Sequence, residues 1–144
     1  QVSNIFIPNE EKRARMKREQ DATAYHEAGL FGLTACQAAY AHGEPWLREL
    51  LDYLEGNLTY IKAFTKEHLP KLQLVEPEGT YLLWFDAGAY GYSPEQLRQR
   101  LRTEARLWLD EGDMFGPEGA GFIRLNMASP RGVIAQAMER LRLL

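Results

Sequence analysis

Arg124 lies in the run Gly119-Ala-Gly-Phe-Ile-Arg-Leu-Asn-Met-Ala-Ser-Pro-Arg131, a single arginine in a short apolar stretch between a glycine-rich loop and a helix start. A strand over 122–127 has a period of two, which puts Phe122, Arg124 and Asn126 on one face and Ile123, Leu125 and Met127 on the other. The second set is apolar and suits a core, so Arg124 faces away from it. Ser129 offers an N-cap hydroxyl and Pro130 suits the first helical position, so the last helix is expected to begin there. A guanidinium held on a strand beside a helix start can grip a carboxylate through two parallel hydrogen bonds. The spacing leaves a second use open, an ion pair between Arg124 and a structural Asp or Glu.

Other chemistry finds less support. Gly112-Asp-Met-Phe-Gly-Pro-Glu-Gly-Ala-Gly121 holds four glycines, but the spacing is neither the dinucleotide fingerprint nor a P-loop, and no Lys-Ser/Thr follows. A mobile loop shaping the entrance to an Arg124 pocket is the better reading, since glycine permits unusual backbone angles and close approach of a ligand. Cys36, His26 and His42 show no metal-ligand spacing, so no metal site is expected. Asn57-Leu-Thr59 matches a glycosylation sequon but falls inside a predicted helix.

The elements that must position Arg124 follow from periodicity and caps. Val2 to Pro8 is strand-like. Asn9 can cap a charged surface helix from Glu10 to about Gln20, with Met16 its one large apolar residue. Its lysines and arginines form a solvated face, because no aromatics interleave with them. Helical propensity from Ala24 to Ala41 is crowded with small residues and suits burial against a neighbour. Glu44-Pro45 opens a long helix in which Leu47, Leu50, Leu51, Leu54, Leu58, Ile61 and Phe64 recur at three- and four-residue steps, until Pro70 stops it. At 1.5 Å per residue, its roughly 25 residues reach about 37 Å, enough to join two domains or to serve as one core helix.

After Pro70 the texture changes. Leu72 to Val75 and Tyr81 to Phe85 read as strands of a hairpin, joined by Glu76-Pro-Glu-Gly79. Ser93-Pro-Glu-Gln96 is a capping box with proline at the first helical position, opening a helix to about Glu104. Leu107 to Leu109 reads as a third strand and 122–127 as a fourth. The last helix carries Val133, Ile134, Ala137, Met138 and Leu141 on one face. The expected fold class is α/β, with an α+β small domain in which helices cover a short sheet. Expected boundaries are 1–44 for the end of a large domain, 45–69 for an inter-domain helix and 70–144 for a small domain.

Composition bounds the partners. The chain has 144 residues, 45% hydrophobic and 26% charged, an ordinary globular make-up. A net charge of -3 gives no general attraction to nucleic acid or anionic lipid. No apolar run approaches the ~20 residues of a membrane span. The single cysteine forms no internal disulfide and favours a reducing, cytoplasmic setting.

Glu76-Pro-Glu-Gly-Thr-Tyr-Leu-Leu-Trp-Phe-Asp86, Gly112-Asp-Met-Phe-Gly116 and Gly121-Phe-Ile-Arg-Leu-Asn126 together resemble the C-terminal portion of class I/II aminotransferase-fold enzymes that use pyridoxal phosphate. Within them the chain is most similar to the cystathionine β-lyase, or C-S lyase, group. The resemblance covers essentially the whole chain, and Trp46 to Ile61 is similar to the family's long helix between large and small domains. It implies a fold type I enzyme in which Arg124 binds the α-carboxylate of an amino-acid substrate. Tyr81, with Gly79 and Thr80, would sit near the substrate entrance, and Met114 to Gly116 on a loop facing it. It further implies a homodimer with shared active sites and β-elimination from cysteine S-conjugates to pyruvate, ammonia and a thiol.

The lysine that forms the Schiff base in such enzymes has no counterpart here: Lys12, Lys17, Lys62, Lys66 and Lys71 all fall on predicted helices or their edges. The position implied for it lies upstream of Gln1, with the other cofactor contacts further upstream. The chain thus reads as a C-terminal fragment, inactive alone, with apolar surface exposed over its first ~40 residues. A fragment of an aminotransferase and a non-catalytic module that binds an amino acid or a protein are the alternatives.

Overall fold

The computed structural model describes residues 2–25 and 28–144. They fall into two compact units, Gln1–Glu49 and Leu50–Leu144. In the first unit, residues 2–8 form no strand, contrary to the sequence reading. A strand needs a partner to satisfy its backbone, and here the Arg13 side chain serves instead, donating from Nη1 to Ile7 O at 2.8 Å and Pro8 O at 3.3 Å. Helix α1, Glu10–Ala22, is capped as expected, with Asn9 Oδ1 accepting from Lys12 N at 2.9 Å. It buries no residue.

Helix α2, Leu30–His42, starts later than the helix expected from Ala24. Ala24 takes a left-handed φ of 54°, ending the preceding helix, and His26 lies outside the described residues. Burial of this helix against a neighbour is not what the structure shows, for α2 has no buried residue and Leu30, Phe31 and Tyr40 are exposed. Helix α3, Glu44–His68, begins in this unit, and from Leu50 onward it belongs to the second.

The second unit is a two-layer α+β fold. Strands β1 (Gln73–Leu74), β2 (Leu82–Asp86), β3 (Asp110–Glu111) and β4 (Phe122–Asn126) form one antiparallel sheet in the order β1-β2-β4-β3. The expected hairpin over 72–85 is present as β1–β2. Helices α4 (Pro94–Thr103) and α5 (Arg131–Leu141) complete the unit. Leu54, Leu58, Ile61 and Phe64 of α3 join Leu97 and Leu101 of α4 and Ile134, Met138 and Leu141 of α5. All belong to one core with Leu83 and Phe85 of β2 and Ile123 and Leu125 of β4. The helices therefore cover one face of the sheet, and the alternate residues of β2 and β4 occupy the other. Val133, expected on the buried side of the last helix, is exposed.

Two further local expectations are corrected. Leu107 to Leu109 is not a strand; the ladder falls to Asp110 and Glu111, opposite Arg124 and Ile123. Arg106 turns the chain with a φ of 52°, and the Leu107 amide donates to Leu101 O at 2.8 Å, so it is already used. Ser129 does not cap α5, and Pro130 sits at the cap position rather than inside the helix. The first helical amide, Arg131 N, donates to the Tyr53 hydroxyl at 2.8 Å. Asn57, fully buried on α3, donates from Nδ2 to Met127 O (2.9 Å) and Ser129 O (3.0 Å) and accepts from Arg131 Nε at 2.7 Å. Its amide is thus committed to tying α3 to the β4–α5 turn. No described helix is long and apolar enough to cross a membrane.

Candidate functional site: a carboxylate-sized fork on the open sheet face

The period-two reading of β4 holds: Ile123, Leu125 and Met127 are buried, and Arg124 lies on the opposite face. Register decides its neighbours. Trp84 of β2 stands opposite Arg124 on one side and Asp110 of β3 on the other, so Trp84, Arg124 and Asp110 form a row across the sheet. Asp110 Oδ2 accepts from Arg124 Nε at 2.9 Å and from Nη2 at 2.7 Å. Phe115 places its ring 4.4 Å from the Arg124 guanidinium carbon and packs edge-on against Trp84 at 5.4 Å.

This geometry answers the ambiguity of the sequence. Arg124 has a structural acidic partner, but that partner takes only the side of the guanidinium. Of the five N–H groups of an arginine, Nε–H and one on Nη2 serve Asp110, which leaves the end of the fork, Nη1 with Nη2, able to take a second carboxylate bidentately. The Phe115 stack adds about 0.5–1 kcal/mol of attraction and limits rotation of the plane.

Beside the fork, residues 75–80, Leu82, Trp84 and Arg124 line an open cleft of about 370 Å3. Gly79 and Thr80, singled out from the sequence, are both in that lining. Thr80 holds a left-handed φ of 64°, an outlier for a β-branched residue that costs about 1–3 kcal/mol. Its Oγ1 accepts from Leu82 N at 3.2 Å, which helps to hold the turn. Tyr81 is not part of the lining: the alternation of β2 puts it on the side of Leu83 and Phe85, and it is half-exposed. Glu76 also reaches the cleft and pairs with Lys62 Nζ at 2.5 Å.

The glycine-rich segment 112–121 forms two short 3-10 turns, Gly112–Phe115 and Pro117–Gly119. A Cβ on Gly112 or on Gly119 would collide with the backbone of the other, so the glycines serve close packing and bring Phe115 onto Arg124. Acidic residues on either side of Gly112 meet α4. Arg98 contacts Asp113 at 2.9 Å, Glu95 at 2.5 Å and Glu111 at 3.6 Å. Partial desolvation works against the Arg98 charge, but Asp113, Glu95 and Glu111 outweigh it and raise its pKa.

No lysine lines the Arg124 cleft. The donors there suit the carboxylate of an amino acid and not the covalent anchoring of an aldehyde cofactor. Among the described residues no three His, Cys, Asp or Glu side chains gather as metal ligands. Asp110 and Trp84 were missed in the sequence. Trp84 was within reach, because it alternates with Leu82 and Asp86 and meets Arg124 once the two strands pair.

No family model matches the chain. It is 36% identical over 142 residues to the cystathionine β-lyase PatB of Bacillus subtilis, covering 99% of this chain and 37% of that protein. Cystalysin of Treponema denticola, solved with pyridoxal 5'-phosphate, superposes with a TM-score of 0.91 at 33% identity over 97% of this chain and 36% of its own. A pyridoxal-phosphate-bound C-S lyase of Staphylococcus hominis gives 0.85 at 28% identity, covering 96% of this chain and 35% of its own. In sequence and fold the chain is thus similar to the C-terminal portion of pyridoxal-phosphate-dependent, fold type I aminotransferase-like enzymes. Its relatives include cystathionine β-lyases, C-S lyases and a pyridoxal-phosphate-bound putative aminotransferase of Clostridium difficile (TM-score 0.91, 35% identity, 95% of this chain and 35% of its own), and it spans about a third of their length.

Proposed function

We propose that this chain is the substrate-carboxylate portion of a pyridoxal-phosphate-dependent C-S lyase that carries out β-elimination on cysteine S-conjugates, yielding pyruvate, ammonia and a thiol. The observation that carries the reading is the Arg124 fork, held on its side by Asp110 and free at its end beside an open cleft. The α-carboxylate of the amino acid binds Nη1 and Nη2 of Arg124. Gly79 and Thr80 shape the neighbouring wall. Pyridoxal phosphate, when bound, supplies the electron sink for cleavage. The cofactor-anchoring lysine is not among the residues of this cleft, so the 144-residue chain is inactive by itself. The complete protein works as a homodimer, and a reducing cytoplasm suits the single cysteine of these 144 residues.

Steady-state kinetics on the complete protein test the reading. Pyruvate release from cystathionine is expected, and Arg124→Lys lowers kcat/KM about a hundredfold, the loss of a charge-assisted bidentate contact. Exchange that depends on a 2-oxo acid, without pyruvate release, would assign an aminotransferase instead. Neither activity would leave a binding module.

A further inference from the structure

We infer that Arg98 on α4 is a positioning residue for Arg124, acting across the sheet through the segment that links Asp110 to Phe115. The inference rests on the reading of Arg124 as the carboxylate-binding residue. Arg124 is oriented by two groups, Asp110 at its side and Phe115 against its plane. Both belong to one stretch, 110–115, of which only Asp110 and Glu111 pair in the sheet. An edge strand of two residues has little ladder to hold it, so its side chains must be fixed from elsewhere.

Arg98 is the group that fixes them. Its Nη2 donates to Asp113 Oδ2 at 2.9 Å, two residues before Phe115, and its Nε lies 3.6 Å from Glu111 Oε1, next to Asp110. The same Glu111 oxygen accepts from Arg102 Nη2 at 2.8 Å. Glu111 is 15% exposed in its side chain and Arg98 28%, so these contacts are better shielded than ordinary surface pairs. Alternation along β3 sends Glu111 toward the helices and Asp110 to the open face. The backbone between them links the two: Arg98 and Arg102 hold one side chain, and the other orients Arg124. Leu97 and Leu101, buried on either side of Arg98, seat α4 in the core, so the clamp is mounted on a rigid element.

The test uses the complete protein with 15N-labelled arginine. The Arg124 Nε–H resonance, assigned by its loss in Arg124→Lys, is followed together with amide protection of Ile123 and Leu125. In Arg98→Met we expect those amides to stay protected while the Nε–H signal broadens or exchanges fast. KM should rise about tenfold at nearly constant kcat, as for a slightly misplaced binding group. Arg98→Lys, which keeps the charge but not the fork, should recover part of both. Should Arg98→Met fail to fold, Asp113→Asn carries the same expectation for the Phe115 end of the segment. An unchanged Arg124 signal in a folded Arg98→Met protein would overturn the inference. The resonance is read without reference to substrate, so a failed lyase assay beside an altered signal would count against the proposed reaction alone.

Discussion

In the proposed reading, the single side chain of Arg124 carries both a structural and a binding duty. Asp110 neutralises its charge and fixes its direction, yet occupies only the side edge of the guanidinium. Lysine offers one point charge and no fork, so it cannot divide its donors in this way. Asn57 is the other residue on which the site depends, although it touches no part of the cleft. It satisfies two carbonyls of the turn that follows β4 and accepts from Arg131. Asn57→Ala would leave buried carbonyls without donors and is expected to cost about 3 kcal/mol, read by urea denaturation. Neither its sequon nor its place within the helix signalled this role. Its three partners are 70 or more residues away, and periodicity reports only near neighbours.

The elements differ in how locally they are specified. Helix α4 is set by its own ends: Ser93 Oγ accepts from Gln96 N, and the Gln96 side chain accepts from Ser93 N at 3.0 Å. Ser93→Ala should therefore lower stability by about 1 kcal/mol, measurable as a shift in denaturation midpoint. The turns at 112–119 are set by contact instead. Gly112→Ala has no room beside Gly119 and Phe122 and should cost more, about 2 kcal/mol, while displacing Phe115 and so weakening carboxylate binding. A calorimetric scan and a binding isotherm on one variant separate the two effects. Helix α5 lies between these cases, since its length follows from its sequence but its first amide is capped by Tyr53 of α3.

At the scale of the molecule, apolar exposure and pH distinguish the two units. In the first, Phe31 is 89% exposed and Phe6 88%, large apolar groups left in water. The isolated chain should sediment above its 16.5 kDa mass, and Phe31→Glu should reduce that association. In the second unit, desolvation and the neighbouring Tyr92 raise the Tyr90 pKa above its ordinary value of 10.0. The native state thus favours the neutral phenol. Its contribution is complete below pH 10 and is lost as pH rises through the native value, because the unfolded chain ionises first. Denaturation at pH 9 and pH 11 should show a larger drop in midpoint for this protein than for Tyr90→Phe.

Residue types and spacing alone determined the helices α1 and α4 with their N-caps, the helix α3, the β1–β2 hairpin and the face of β4 that carries Arg124. Each depends on interactions within a few residues or on a simple period. The motifs also carried the family resemblance, because they keep residue types whose backbone and side-chain demands are specific. Tertiary structure alone decided the rest. Residues 2–8 form no strand because none of the described residues pairs with them as a neighbouring strand. The third strand falls on Asp110 and Glu111 because the Leu107 amide is already used. Arg124 acquires Trp84, Asp110 and Phe115 because strand register and glycine packing bring together segments up to 40 residues apart in the chain. Local propensity acts along the chain, whereas the direction of a charged fork is set by what meets it in space.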